Sequence, residues 1–154
     1  METTQETTAN KNTATLLQLS AFSQYFIPFG NFIFPAVIWS LRKKDSGFVD
    51  YNGKQALNFQ LSLLLYSMIL LVIAIPVFVY AIFNGMEFYF TGNGEQILNQ
   101  LTTGKITAIV LIALIMCFIY VTLKVCEFCL IFYASVKNSN GQSYNYPLTI
   151  KFIK

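Results

Sequence analysis

Residues 61–83 contain very few polar side chains, and this run sets the class of structure that the chain can adopt. Ser62, Ser67, two tyrosines and Pro76 are its only interruptions. A helix needs about 20 residues to cross a hydrocarbon core of about 30 Å, so the run is long enough to span a bilayer. Residues 56–83 would measure about 42 Å as a helix, which requires a tilt, a kink at Pro76 or extension past the bilayer.

Two further apolar segments, residues 16–41 and 106–134, flank this one. Only 11% of all residues are charged, whereas soluble domains carry about 25%, and so little charge cannot cover a water-exposed surface. We therefore predict an all-α integral membrane protein, a helical bundle with three transmembrane segments of which the first is kinked by prolines. The predicted kink positions are Pro28, Gly30 and Pro35 in the first segment and Pro76 in the second.

The first segment also fits a re-entrant hairpin that turns at residues 28–30. In that arrangement it enters and leaves the bilayer on one side, and the chain crosses the membrane twice. We favour a full span, because Trp39 and the basic residues at 42–44 end the segment as an interfacial anchor and a cytoplasmic membrane end normally do.

The remaining residues are predicted to lie outside the bilayer. Residues 1–15 are predicted to be a disordered tail, residues 16–135 a membrane domain, and residues 136–154 a tail that is extended or forms a short strand after a turn at 138–141. Lysine and arginine are concentrated in the linker 42–55 and in the C-terminal tail, which predicts that both are cytoplasmic. A location in a bacterial inner membrane is what the family resemblance described below implies. The basic residues predicted to set this topology and to contact anionic lipid headgroups are Arg42, Lys43, Lys44 and Lys54.

Several amide side chains lie within the apolar segments, where they need hydrogen-bond partners away from lipid. These candidates are Gln24, Asn31, Asn58 and Gln60. Hydrogen bonds between helices are the favoured role, and Asn58 is expected to meet Gln24 or Asn31. A polar ligand or ion bound at the broken first segment is the alternative.

Lys124 and Glu127 lie three residues apart on one face of the third segment. Counting about 20 residues from position 106 places Lys124 near an interface, where its ammonium can reach the headgroups with Glu127 as a partner. A buried functional ion pair is the alternative. Cys126 and Cys129 have redox or metal-ligand spacing, but without histidine or a second cysteine pair they are predicted to act as small apolar residues.

The sequence predicts no enzyme, no metal site and no cofactor, since it contains no histidine, no Gly-rich phosphate loop beside a strand and no carboxylate pair placed in a pocket. The predicted partners are the lipid bilayer with its anionic headgroups, and other membrane proteins or further copies of the chain. Nucleic acid is not expected as a partner. The function predicted is that of a non-catalytic membrane assembly module, and the alternative is a homo-oligomeric transporter or channel for ions or small solutes.

Three blocks of sequence resemble a small bacterial membrane family of unknown function that is often called Tic-twenty-like. The blocks are residues 27–31 with Pro35 and Trp39, residues 43–60, and residues 140–150. The family is named for its distant similarity to a component of the chloroplast inner-envelope import translocon, so the resemblance implies a membrane location and, by analogy, a part in protein translocation. The chain has Gln18 where members commonly have histidine, and Gln55 where a glutamate is usual.

Overall fold

The computed structural model describes residues 6–91 and 105–154, so residues 1–5 of the predicted N-terminal tail lie outside the described part. The described residues form helices and contain no strand, which confirms the all-helical prediction. The C-terminal tail is irregular after residue 141, with a turn at 147–148 where Leu148 has φ 56°, and it forms no strand among these residues. The α-helices of the described residues are α1 (Thr8–Leu19), α2 (Gly30–Arg42), α3 (Gly47–Thr91) and α4 (Lys105–Ser139), and a 3-10 helix at Ser20–Tyr25 lies between α1 and α2.

The first apolar segment does not form the kinked spanning helix that the sequence predicts. It is divided between α1 and α2, whose 12 and 13 residues correspond to about 18 and 20 Å, short of the hydrocarbon core. Helix α1 begins at Thr8, where the Thr7 hydroxyl caps it by accepting from the Asn10 amide at 3.2 Å. Residues 8–15, predicted to be disordered, are therefore helical.

A tight turn reverses the chain between the 3-10 helix and α2. Phe29 adopts the left-handed conformation at φ 60°, and α2 packs back against the 3-10 helix and α1. A Cβ on Gly30 would lie 2.8 Å from the carbonyl carbon and oxygen of Ser23, so the missing side chain permits this close approach. The turn falls where the re-entrant alternative places it, at residues 28–30.

The two long helices extend beyond their predicted limits. Helix α3 begins at Gly47, where Ser46 Oγ accepts from the Val49 amide at 3.1 Å, and so it includes most of the predicted linker 42–55. The helix continues through Pro76, and α2 continues through Pro35. Helix α4 ends at the predicted turn: Gly141 has φ 77°, and Gln142 N–H donates to the carbonyl of Lys137 at 2.9 Å.

Two helices in the described part are long and apolar enough to cross a membrane, namely Gly47–Tyr80 and Val110–Ser139. These two helices are consistent with the predicted helical membrane bundle. A third span, predicted at residues 16–41, is not shown. Most apolar side chains on both helices are exposed, among them Val72, Phe78 and Phe118 at 67% or more. Such a surface is suited to contact with lipid.

The chain divides into two compact units. Unit 1 contains Met1–Leu64 and Val125–Lys154, and unit 2 contains Leu65–Lys124. The core of unit 1 is small and includes Phe59 of α3, Ile131 of α4 and Tyr146 of the tail. The rings of Phe59 and Tyr146 stack with centroids 4.2 Å apart. The C-terminal tail is thus part of the core of unit 1.

Candidate functional site

Unit 1 has an unusually polar interior. Nine polar or charged residues are buried among the described residues, and all of them belong to this unit: Gln18, Asn52, Gln55, Asn58, Gln60, Ser62, Glu127, Ser135 and Asn138. Buried polar groups need hydrogen-bond partners, and their arrangement therefore specifies one packing of the helices. We take this network as the candidate functional site.

Asn58 fixes the C-terminal tail to α3. Its Oδ1 accepts from the backbone amides of Phe152 and Ile153 at 3.1 and 2.8 Å, and its Nδ2 donates to the carbonyl of Ile153 at 3.0 Å. Ser62 Oγ accepts from the Ile150 amide at 2.8 Å. The tail has no strand to satisfy its backbone, and an asparagine side chain supplies both a donor and an acceptor. The hydrogen bonds described for the Asn58 side chain thus go to the tail, whereas the sequence suggests Gln24 or Asn31 as a partner.

Asn52 fixes the tail at a second point. Its Oδ1 accepts from the Tyr144 amide at 3.1 Å, and its Nδ2 donates to the carbonyl of Phe48 at 2.8 Å and reaches the hydroxyl of Ser143 at 3.5 Å. Asn52 is fully buried. Together with Asn58, it makes one face of α3 a binding surface for the tail backbone.

Gln18 connects α1 to the tail and to both long helices. The Tyr146 hydroxyl donates to Gln18 Oε1 at 2.6 Å, and Gln18 Nε2 donates to the Asn52 carbonyl at 3.4 Å and to Asn138 Oδ1 at 3.5 Å. Burial raises the pKa of the Tyr146 phenol, with the neighbouring Tyr144 and Glu127 adding to the effect. Tyr146 therefore remains a neutral donor at physiological pH.

Four of the predicted intramembrane polar residues form two pairs. Asn31 Nδ2 donates to Gln60 Oε1 at 2.7 Å, and Gln24 Nε2 donates to Glu127 Oε1 at 2.9 Å. Each pair joins the first segment to a long helix, and Glu127 is only 2% exposed. Lys124 belongs to unit 2, where it lines a cavity.

Basic residues near the start of α3 surround the Trp39 side chain. Trp39 Nε1 donates to Asp50 Oδ1 at 2.9 Å, and Lys54 Nζ lies 2.6 Å from Asp50 Oδ2. The Lys43 ammonium lies 4.6 Å from the centroid of the Trp39 ring, within cation–π range. These contacts connect the end of α2 to the first turns of α3.

The remaining predicted basic residues lie at the surface. Arg42 pairs with Asp45 at 3.2 Å across exposed side chains, an arrangement worth about 0–1 kcal/mol. Lys44 is exposed. Both are accessible to lipid headgroups or solvent.

A substitution at Gly53 tests the packing between the end of α2 and the first turns of α3, because Trp39 lies directly against the Gly53 backbone. A Cβ on Gly53 would overlap Trp39 Cδ1 and lie 2.8 Å from Cγ. We expect Gly53→Ala to destabilise unit 1 by about 1–3 kcal/mol through overpacking. The change is measurable as a lower thermal midpoint and altered emission of Trp39, the single tryptophan.

Gly47→Ala is the matched control, since no atom lies within 4 Å of a Cβ built there. It should leave the thermal midpoint within a degree or two of the original protein, or raise it slightly, because alanine favours helix. Equal stability of the two variants would contradict the packing described here.

The sequence gives little indication of Gln18, Asn52, Asn138 and Tyr146 as site residues. Their partners lie 34 to 128 positions away along the chain, so no local spacing connects them. The one feature of the sequence that could have indicated such a residue is an amide side chain within an otherwise apolar helical stretch, as at Gln18. Asn138 Nδ2 is buried and has no hydrogen-bond partner in the described structure.

The described residues contain no group of three histidine, cysteine or acidic side chains able to hold a metal ion. Cys126 and Cys129 are exposed on α4 as free thiols. The chemistry that unit 1 offers is therefore hydrogen bonding by amides, hydroxyls and one buried carboxylate.

Comparison with known proteins identifies a family. The model of the magnetosome magnetite crystal formation protein family, MamF/MmsF, matches residues 9–153. No curated protein and no solved structure matches the chain. The family match corrects the predicted assignment to the Tic-twenty-like family, for which there is no support, and removes the analogy with protein translocation. The protein is membrane-embedded, and it belongs to the magnetosome magnetite crystal formation protein family.

Proposed function

We propose that this protein is a non-catalytic assembly module of a membrane in which magnetite crystals form. The family name supports the connection with magnetite. The observation that carries the non-catalytic role is the use of the buried polar groups: Asn52, Asn58 and Ser62 all bind the backbone of the tail. Groups engaged in this way hold helices and tail in one arrangement, which suits a structural component.

We further propose that, among the described residues, α3 and α4 are the helices that cross the membrane. Both are long and apolar enough to do so, and two crossings return the chain to the side of the bilayer from which it started. Eight of the ten lysine and arginine residues belong to unit 1, and the other two are Lys105 and Lys124. From the positive-inside rule we infer that the C-terminal tail and the residues that precede α3 are cytoplasmic.

The transporter alternative has no comparable support. The path predicted for it uses Asn31, Asn58 and the Lys124–Glu127 pair. Asn31 hydrogen-bonds Gln60, Asn58 hydrogen-bonds the tail, and Glu127 accepts from Gln24. We therefore retain the assembly module as the single proposal. Its partners are other membrane proteins or further copies of the chain, reached through the exposed apolar faces of the long helices.

The proposal predicts an effect on crystals that depends on an intact unit 1. In a magnetite-forming bacterium that lacks its own family member, the original protein should shift the mean crystal size, and Asn58→Leu should remove most of that shift. Electron microscopy measures the crystals, and immunoblotting of membranes measures the protein. Asn145→Leu, at an exposed tail position, is the control and should behave as the original protein.

Unchanged crystals in the presence of membrane-inserted original protein would overturn the connection with magnetite. Full activity of an Asn58→Leu protein whose tail is released would instead contradict the role of the network. Photo-crosslinking from Asn31 in the same cells identifies the partner.

A further inference from the structure

Unit 2 contains a cavity of about 510 Å³ between α3 and α4. This volume lies in the range of small-molecule sites, about 300–1,000 Å³. Its walls come entirely from residues 67–74 of α3 and 116–124 of α4. These residues belong to the apolar helices that are long enough to cross a membrane, so the cavity opens toward lipid rather than toward bulk water.

The cavity has a polar end and an apolar end. The chain enters unit 2 at Leu65 and leaves it at Lys124, so Ser67 and Lys124 lie near the same end of the unit, and Tyr120 is one helical turn from Lys124. Leu71, Ala74 and Met116 line the other end. The described lining therefore combines one cationic group and two hydroxyls with apolar side chains, over a total length of about 10 Å, since the helix rises about 10 Å from Ser67 to Ala74.

We propose that this cavity binds one acyl chain of an anionic phospholipid, with the lipid phosphate at Lys124. The ammonium supplies a charge-assisted hydrogen bond to a phosphate oxygen, and the Tyr120 and Ser67 hydroxyls supply further donors. The apolar end accommodates the acyl chain. About 20 residues separate position 106 from Lys124, which places the ammonium at headgroup depth, where lipid phosphates lie.

Charge complementarity distinguishes this occupant from a helix of a second protein copy. A second copy of the same apolar helices would cover the ammonium and hydroxyls at the polar end of the cavity with hydrocarbon, and none of the residues that line the cavity would supply an anionic group to them. A phospholipid brings the opposite charge and the hydrocarbon in one molecule. This site goes beyond the proposed function and does not depend on it.

The test is native mass spectrometry of the full chain in detergent, titrated with palmitoyl-oleoyl phosphatidylglycerol and, separately, with the corresponding phosphatidylcholine. We expect the chain to retain one molecule of phosphatidylglycerol in preference to phosphatidylcholine. Lys124→Gln should weaken this retention about fivefold, and Ala74→Phe, which fills the apolar end, should weaken binding of both lipids. Lys44→Gln is the control, because it removes an exposed charge outside the cavity. Unchanged Trp39 emission shows that unit 1 of each variant remains folded, and an unchanged helical circular dichroism signal shows that the helices of unit 2 do.

Equal retention of the two lipids by the original protein would overturn the proposal. An equal loss of phosphatidylglycerol binding in Lys44→Gln and Lys124→Gln would also overturn it, because that result indicates a general attraction of anionic lipid to basic residues. Dimers that Ala74→Phe abolishes and that phosphatidylglycerol does not affect would assign the cavity to a second copy instead.

Discussion

Replacing Asn58 by leucine is expected to release the C-terminal tail from α3 and to destabilise unit 1 by about 3 kcal/mol, at about 1 kcal/mol for each of three hydrogen bonds. The substitution removes the acceptor for the Phe152 and Ile153 amides and the donor to the Ile153 carbonyl. Leucine has a similar volume but no polar group. Hydrogen exchange measures the release directly, because these two amides should lose their protection.

The control for this experiment is Asn145→Leu, in which an exposed amide of the same tail is replaced. Its tail amides should exchange at the original rate, and its thermal unfolding, followed by Trp39 emission, should change by less than about 0.5 kcal/mol. A tail that stays protected in Asn58→Leu would show that the stacking of Tyr146 on Phe59 is sufficient to hold it.

The second large effect is expected from the bond between Tyr146 and Gln18. Both side chains are almost fully buried, so Tyr146→Phe leaves the Gln18 oxygen without its donor, and Gln18→Met leaves the tyrosine hydroxyl without its acceptor. Each single change should cost about 1–3 kcal/mol. The double variant should cost less than the sum of the two, with a coupling of about 1–2 kcal/mol in a double-mutant cycle of thermal or denaturant unfolding.

Tyr144→Phe provides the reference for that cycle. Tyr144 contacts the Tyr146 ring edge-on at 4.9 Å, so its replacement by phenylalanine changes the neighbouring aromatic group without removing the bond to Gln18. It should not couple to Gln18→Met. Additive effects of Tyr146→Phe and Gln18→Met would mean that the short hydroxyl–amide bond does not contribute to stability.

The long helices could be predicted from the sequence because their apolar runs exceed the length of a membrane crossing. The turn after α4 could also be predicted, since an Asn-Gly pair marks a left-handed position such as Gly141. The first segment could not be assigned correctly by hydropathy. It is as apolar as a spanning helix, and the decisive features are the left-handed Phe29 and the contact of Gly30 with Ser23, which depend on how the chain packs after it turns.

The candidate site could be predicted only in part. Amides in apolar segments must find partners, and on this ground Gln24, Asn31, Asn58 and Gln60 were predictable as site residues. The partners of Asn58 could not be identified in this way, because they are backbone groups 94 and 95 positions later, in a tail without helical periodicity. Backbone groups carry no sequence signature, so a binding surface made for them cannot be recognised by residue type.

The division of unit 1 between two distant parts of the chain fixes the order in which the protein matures. Synthesis at about 5–20 residues per second delivers the partners of Asn58 roughly 5 to 20 seconds after Asn58 itself. During that interval the rest of α3 and all of α4 are synthesised, while the amide side chains of α3 still lack the tail. Unit 1 therefore cannot be completed before Phe152 and Ile153 have been made, and its polar interior is the last part of the chain to acquire its hydrogen-bond partners.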